Sequence, residues 1–294
     1  MKSIGLIGIG QMGMPMGMNL LTAGYALNIF ARNKNAAGTL LEKGARFCEN
    51  PRQVADESET VLLCLPTPKD VTEVIFGNEG IALGDHTKIR IIIDSSTIDP
   101  KSTRNIYSKL ETIGIEYLDA PISGGPEGAT NATLTFMVGG NRDAFEKGND
   151  VFRALGKNIF YMGSSGSGTG AKLVNQLLVS SNTLASAEAM QLAAALGVDS
   201  TQIIDVIKTS AGDSFAFRRV APKIASQNFG SGWQTWLLEK DLRILLQTEK
   251  ELGLPSVSVK ASSEVFSEAV KSGLGNVDSS SVIKVLEKMK PQSN

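Results

Sequence analysis

Histidine is almost missing from this chain: His86 is the only one, and cysteine stops at Cys48 and Cys64. A metal site built on several histidines is therefore excluded, and so is a cysteine-rich zinc module. Acid–base chemistry falls to Lys, Tyr, Asp or Glu unless His86 is well placed. Net charge is scarce too, with 29 basic against 30 acidic residues and a formal charge of -1. That balance rules out attraction to nucleic acid by bulk charge. No uninterrupted apolar run approaches the ~20 residues of a membrane span. The apolar N-terminus is broken by Gly8, Gly10, Gln11, Gly13 and Pro15 and lacks a small-residue cleavage site, unlike a secretory leader. The expectation is a cytoplasmic protein with both cysteines as thiols and no partner among membranes.

What is present is length and glycine. At 294 residues the chain has room for two domains, and 30 glycines imply several tight turns or close approaches. The first half alternates short apolar strands with helical patterns, the signature of parallel βαβ units. Strands are predicted at Ser3–Ile9, Leu27–Phe30, Thr60–Leu65, Arg90–Asp94 and Ile115–Ala120, with two more at Leu134–Val138 and Asn158–Tyr161. Helices are predicted at Met12–Ala23, Ala36–Lys43, Lys101–Ile113 and Asp143–Leu155, the first three followed by a glycine stop. The run Gly163 to Gly170, all Gly, Ser and Thr, reads as a flexible hinge. Beyond it the strand signal ends. A long apolar helix is predicted over Ala171–Leu196, buried between domains or subunits, then helices near 200–209, 214–227, 234–252, 255–272 and 279–290. The expected fold is an α/β Rossmann-type domain over residues 1–163 and an all-α domain over 164–294, in a homo-oligomer joined through the long helix.

Gly8-Ile9-Gly10-Gln11-Met12-Gly13 is a Gly-x-Gly-x-x-Gly that closes a predicted strand and opens a predicted helix. In that context the first glycine permits the turn, the second admits a pyrophosphate, and the third lets helix and strand pack closely. The helix N-terminus is then aimed at the phosphates. The end of the second strand selects the ribose: an acidic residue there would bind the 2′-hydroxyl. Here it reads Arg32-Asn33-Lys34, with no carboxylate and two cations, which favours the 2′-phosphate of NADP over NAD.

At this point the chain resembles the β-hydroxyacid dehydrogenase family over essentially its whole length. Gly8 to Leu20, with Met12, Met16 and Asn19, is similar to the family's opening motif. Leu65-Pro66 and Asp94-Ser95-Ser96-Thr97 stand where the family carries strand-end residues beside the cofactor. Asp119-Ala120-Pro121-Ile122-Ser123-Gly124-Gly125 is similar to its substrate-binding segment. Gly166 to Asn175 matches its catalytic segment, and Lys240-Asp241-Leu242 its late Lys-Asp motif.

The resemblance implies hydride transfer between a nicotinamide and a short β-hydroxyacid, with a small carboxylate as substrate. Ser123, Gly124 and Gly125 then form an anion nest for the carboxylate. Lys172 is the implied general acid/base, with Asn175 three residues on fixing the hydroxyl or the ammonium. A lysine suits that task when burial and nearby positive charge bring its pKa toward ~7–8. Lys240 is placed over nicotinamide and substrate, and Trp233 stands where the family usually has Phe, narrowing the pocket. Gly8, Gly10, Gln11, Met12, Gly13, Arg32, Asn33, Lys34, Leu65, Pro66 and Thr97 are the implied cofactor contacts. His86, in a loop before a strand, lies away from the carboxyl edge where such sheets do chemistry.

Departures from the family pattern are Ala132 in place of Gly, Gln176 in place of a second Asn, and Ser280 in place of an aromatic. Two other readings fit the glycine loop: an imine-reducing relative and a non-catalytic NADP(H)-binding sensor or scaffold. Lys172 argues against the first, and Lys172, Asn175 and Lys240 together against the second.

Overall fold

The computed structural model describes residues 2–230 and 232–289; residue 290, the expected end of the last helix, lies outside them. The chain divides into two compact units, Met1–Lys172 and Leu173–Asn294.

The first unit alternates strand and helix from its N-terminus. Its strands are β1 (Ser3–Ile7), β2 (Ala26–Phe30), β3 (Arg46–Phe47), β4 (Thr60–Leu63), β5 (Ile91–Asp94), β6 (Glu116–Asp119), β7 (Ile122–Ser123), β8 (Leu134–Gly139) and β9 (Gly156–Gly163). Its helices are α1 (Gly13–Thr22), α2 (Gly38–Glu42), α3 (Pro51–Asp56), α4 (Pro68–Phe76), α5 (Pro100–Glu111), α6 (Gly125–Thr130) and α7 (Arg142–Leu155). All nine strands form one sheet in the order β3-β2-β1-β4-β5-β6-β8-β7, with β9 beside β8. The pairings from β3 to β6 are parallel, and β8 runs antiparallel to β6 and β7. This is a doubly wound sheet whose order reverses between β1 and β4, the place where such sheets bind ligands.

Apolar alternation explains why both faces are covered. Ile4, Leu6, Leu62 and Ile93 pack on one side with Met16, Leu20 and Phe152. Ile7, Val61, Leu63 and Ile92 pack on the other with Val54, Val71 and Ile106. Each such side chain stabilises the fold by roughly 1.5–3 kcal/mol when fully buried. The glycines expected to stop α1, α2 and α5, namely Gly24, Gly44 and Gly114, all have positive φ.

Several elements went unpredicted. Helices α3 and α4 start at Asn50-Pro51 and Thr67-Pro68, where the Asn50 and Thr67 side chains accept from the backbone N–H groups of Gln53 and Asp70. Such a cap followed by proline at the first helical position is a readable start signal. Strands β3 and β7, two residues each, carry too little pattern to be seen.

The run from Gly163 to Gly170 is not a flexible hinge. A 29-residue helix, α8 (Ser167–Ala195), begins inside it, leaving Ser164–Gly166 as the only connection to β9. Its glycine serves close packing: a Cβ on Gly168 would strike the carbonyl oxygens of Met137 and Asp119. The division between the two units falls within this helix. In the single chain Val174, Leu178 and Leu192 of α8 are exposed.

The second unit is helical, with α8 followed by α9 (Ser200–Ile207), α10 (Phe215–Ala225), α11 (Thr235–Glu251), α12 (Val257–Ala269) and α13 (Ile283–Lys288). Leu184, Phe217, Val220, Leu238, Leu242 and Phe266 lie in its core. Asp199 and Ser214 cap α9 and α10 by accepting from backbone N–H groups.

Candidate active site

The cofactor residues meet because β2, β1, β4 and β5 are neighbours and their carboxyl ends align. Beyond β1, Gly8 has φ +103°, and a side chain there would drive into the Cys64 carbonyl. A Cβ on Gly13 would collide with the Gly8 carbonyl oxygen, so the turn closes on itself only with glycine at both positions. Gly10 differs: a Cβ there meets nothing within 4 Å, and the residue faces open space. Met12, at the N-cap of α1, offers no side-chain acceptor, and the first turn holds no acidic residue. A helix start with neither a capping side chain nor an acid, beside an open glycine, suits a pyrophosphate. Gln11 is exposed on the same turn. The residues present therefore fit a nicotinamide dinucleotide.

At the end of β2 the Arg32 side chain is 81% exposed, its guanidinium 3.4 Å from Asp70. Asn33 caps a short 3-10 turn over Lys34–Ala37, and the Lys34 ammonium lies 4.6 Å from the Phe47 ring centre. All three residues are exposed at the end of β2. Leu65 and Pro66 follow β4, and the Leu65 N–H donates to Ser96 Oγ at 2.9 Å. Ser95 Oγ donates to the Leu63 carbonyl, tying the ends of β5 and β4 together just before Thr97. Asp94, fully buried, accepts from the Ser96 N–H and from the Tyr117 hydroxyl at 2.6 Å. Burial pushes its carboxyl above the usual range against those bonds.

The expected substrate segment also takes shape in the first unit. Beyond β6, Ser123 ends β7, Gly124 and Gly125 have φ of +133° and +64°, and Gly125 opens α6. Two consecutive positive-φ glycines turn the chain sharply there. Asn19 of α1 donates to the Ala129 carbonyl at 2.7 Å and so holds α6 against the phosphate helix.

Lys172 is only 8% exposed, and its Nζ donates to the Ile122 carbonyl at 2.8 Å, one residue from Ser123. The first turn of α8 is fixed by Asp119, a residue assigned no individual role by sequence reasoning. Its carboxylate accepts from the Gly166 N–H, the Thr169 N–H and the Thr169 hydroxyl, each at 2.9 Å. Burial raises the Asp119 carboxyl above its usual range, and those donors oppose the rise. Asp119 thus caps α8 from another element and sets where Lys172 begins.

In the second unit Asn175 donates from Nδ2 to Gln176 Oε1 at 2.9 Å. Gln176 donates from Nε2 to Asp241 Oδ2 at 2.5 Å, and the Lys240 ammonium lies 2.8 Å from Asp241 Oδ1. Lys240 is buried, not the plain surface charge that its acidic neighbours suggest. Sequence reasoning assigned no role to Gln176, noted only as a departure from the family pattern, or to Asp241, which stands inside the late Lys-Asp motif. Trp233 is half-buried, with the Arg219 guanidinium 4.4 Å over its ring and Phe215 at 6.3 Å. Its N–H donates to buried Asp278, which also accepts from Arg219 and from both the N–H and hydroxyl of Ser280. Ser280 therefore braces the Trp233 loop, which accounts for a small hydroxyl residue at that departure from the family pattern.

His86 lies before β5, at the edge opposite the glycine loop, its Nε2 2.8 Å from the Ala82 carbonyl. Cys48 is buried, and burial pushes its thiol up to about 11. No helix among the described residues is long and apolar enough to cross a membrane.

Known proteins match both parts of the chain. Residues 3–163 match the NAD binding domain of 6-phosphogluconate dehydrogenase, and residues 166–286 match the NAD-binding domain of NADP-dependent 3-hydroxyisobutyrate dehydrogenase. The chain is 35% identical to 2-(hydroxymethyl)glutarate dehydrogenase of Eubacterium barkeri, covering 97% of this chain and 95% of that protein. It is 34% identical to 2-hydroxy-3-oxopropionate reductase of Escherichia coli K12, with 97% of each covered. The solved 3-hydroxyisobutyrate dehydrogenase of Mycobacterium tuberculosis with L-serine superposes with a TM-score of 0.88 at 29% identity, covering 97% of this chain and 99% of that one.

Proposed function

The chain belongs to the β-hydroxyacid dehydrogenase family, NAD(P)-dependent oxidoreductases acting on CH–OH donors, and from that premise we propose that it prefers NADP and uses Lys172 as general acid/base. The observation that carries the reading is the buried Lys172 ammonium, held on the Ile122 carbonyl one residue from Ser123. When bound, the nicotinamide supplies or accepts the hydride. In oxidation Lys172 takes the hydroxyl proton, and in reduction it returns one to the new alkoxide oxygen. Ser123, Gly124 and Gly125 hold the substrate carboxylate.

Arg32 forks onto the 2′-phosphate with Asn33 and Lys34 assisting, since no acidic residue follows β2 to favour a ribose hydroxyl. The protein acts in the cytoplasm and as a homo-oligomer that covers the exposed Val174, Leu178 and Leu192 of α8. Its substrate is a short β-hydroxyacid or the matching semialdehyde or keto acid. The test is a panel of 3-hydroxyisobutyrate, L-serine, 2-(hydroxymethyl)glutarate and 2-hydroxy-3-oxopropionate with NADP(H) and NAD(H) in both directions. Turnover of one member with higher kcat/KM for the NADP couple is expected. NADPH binding without turnover of any member would instead identify a sensor.

A further inference from the structure

The polar chain from Asn175 to Lys240 has a direction imposed from one end. A carboxylate can only accept, so Gln176 must present Nε2 to Asp241. Its Oε1 is thereby committed to the Asn175 Nδ2. Asn175 spends an N–H on that bond and is left to show its carbonyl oxygen on the opposite edge of the amide. Amide groups are ordinarily ambiguous between oxygen and nitrogen, but here the carboxylate decides both in sequence.

Helix geometry alone does not produce this chain. Neighbouring residues on a helix point about 100° apart and do not face each other, so the Asn175–Gln176 contact depends on a side chain long enough to curl back. Glutamine has that reach while its amide nitrogen still meets Asp241 on α11. Asparagine, the residue expected from the family pattern, is one methylene shorter. Gln176, Lys240 and Asp241 are 8%, 6% and 6% exposed, so the bonds act where water screens them little.

We propose that Gln176 is a positioning residue that carries the acceptor-only character of Asp241 to Asn175, so that Asn175 meets the reacting hydroxyl or an ammonium with its carbonyl oxygen. This rests on the reading of Lys172 and Asn175 as the reacting pair. The charged groups bearing on Gln176 are Asp241 and Lys240 on α11, and Lys172 stands four residues earlier on α8.

The experiment is steady-state kinetics of the full chain with NADPH and the best panel substrate, comparing Gln176→Leu, Gln176→Glu and Gln176→Asn with the unaltered protein. Gln176→Leu is expected to lower kcat about tenfold or more while the NADPH Kd stays within about twofold, because the glycine loop is untouched. Gln176→Asn should fall between the two. Gln176→Glu gives the reading that a merely structural role would not. As a carboxylate, it cannot donate to Asp241; protonated, it can donate to Asp241 and accept from Asn175 as glutamine does. Its kcat relative to the unaltered protein should therefore rise about fivefold or more from pH 8 to pH 6. A flat ratio over that range, or a Gln176→Leu kcat within about twofold of the unaltered protein, overturns the proposal. Lys172→Ala, run alongside, separates the two readings: full turnover in that variant removes the premise, whereas its inactivity beside an unimpaired Gln176→Leu removes only this inference.

Discussion

In the first unit the cofactor loop is made of backbone: Gly8 and Gly13 close the turn, and Gly10 leaves open space beside the N–H groups of α1. In the second unit the buried polar centre is made of side chains, with Asn175, Gln176, Asp241 and Lys240 joined end to end. The two respond differently to change. A backbone cradle has no adjustable part, so one methyl group in the wrong place destroys it. A side-chain chain can lose a member and keep its fold while losing its polarity. Steric sites therefore fail all at once, and polar networks fail by degrees.

That contrast can be broken at several points. The largest effect is expected from Gly13→Ala, whose methyl would overlap the Gly8 carbonyl. NADPH affinity should drop more than about hundredfold by fluorescence titration, while the helical second unit keeps its far-ultraviolet dichroism. Retained affinity would mean that the loop has slack the packing does not show. A smaller effect is expected from Arg32→Ala, which removes a charge-assisted clamp without touching the backbone. Its NADPH Kd should rise about tenfold to hundredfold with the NADH Kd nearly constant; equal losses would count against a phosphate clamp. The smallest is a gain. Ala132 has φ +53°, a left-handed conformation that disfavours any side chain, at a position where the family pattern carries glycine. Ala132→Gly should stabilise the first unit by about 1 kcal/mol, read as a Tm higher by about 2–4 °C. A lower Tm would show that the alanine methyl packs for more than its strain costs.

The same contrast explains what could be read from the chain in advance. The glycine loop, the β1-to-β5 strands and the Arg32 cluster rest on local spacing, and residues a few positions apart suffice to define them. Asp119 and Asp241 were visible only as letters in motifs, because their roles depend on partners 47 and 65 residues away in sequence. The Gly163–Gly170 run misled for a related reason. Glycine and serine signal flexibility when nothing is packed against them, but here Asp119 caps the segment and the Met137 and Asp119 carbonyls press on Gly168. Helices α3 and α4 were missed although Asn50-Pro51 and Thr67-Pro68 announce them; α3, six residues long, is too short to build an apolar period, whereas α4 buries Val71 and Ile75 at helical spacing.

Single-turnover hydride transfer in Lys172→Ala, with NADPH binding measured on the same preparation, bears most directly on the proposed chemistry. The buried Lys172 beside Ser123 predicts unaltered NADPH affinity and a transfer rate lower by about 10²-fold or more, with the loss largest for the proton-coupled reduction. A transfer rate close to that of the unaltered protein would contradict it and move the proton to another group.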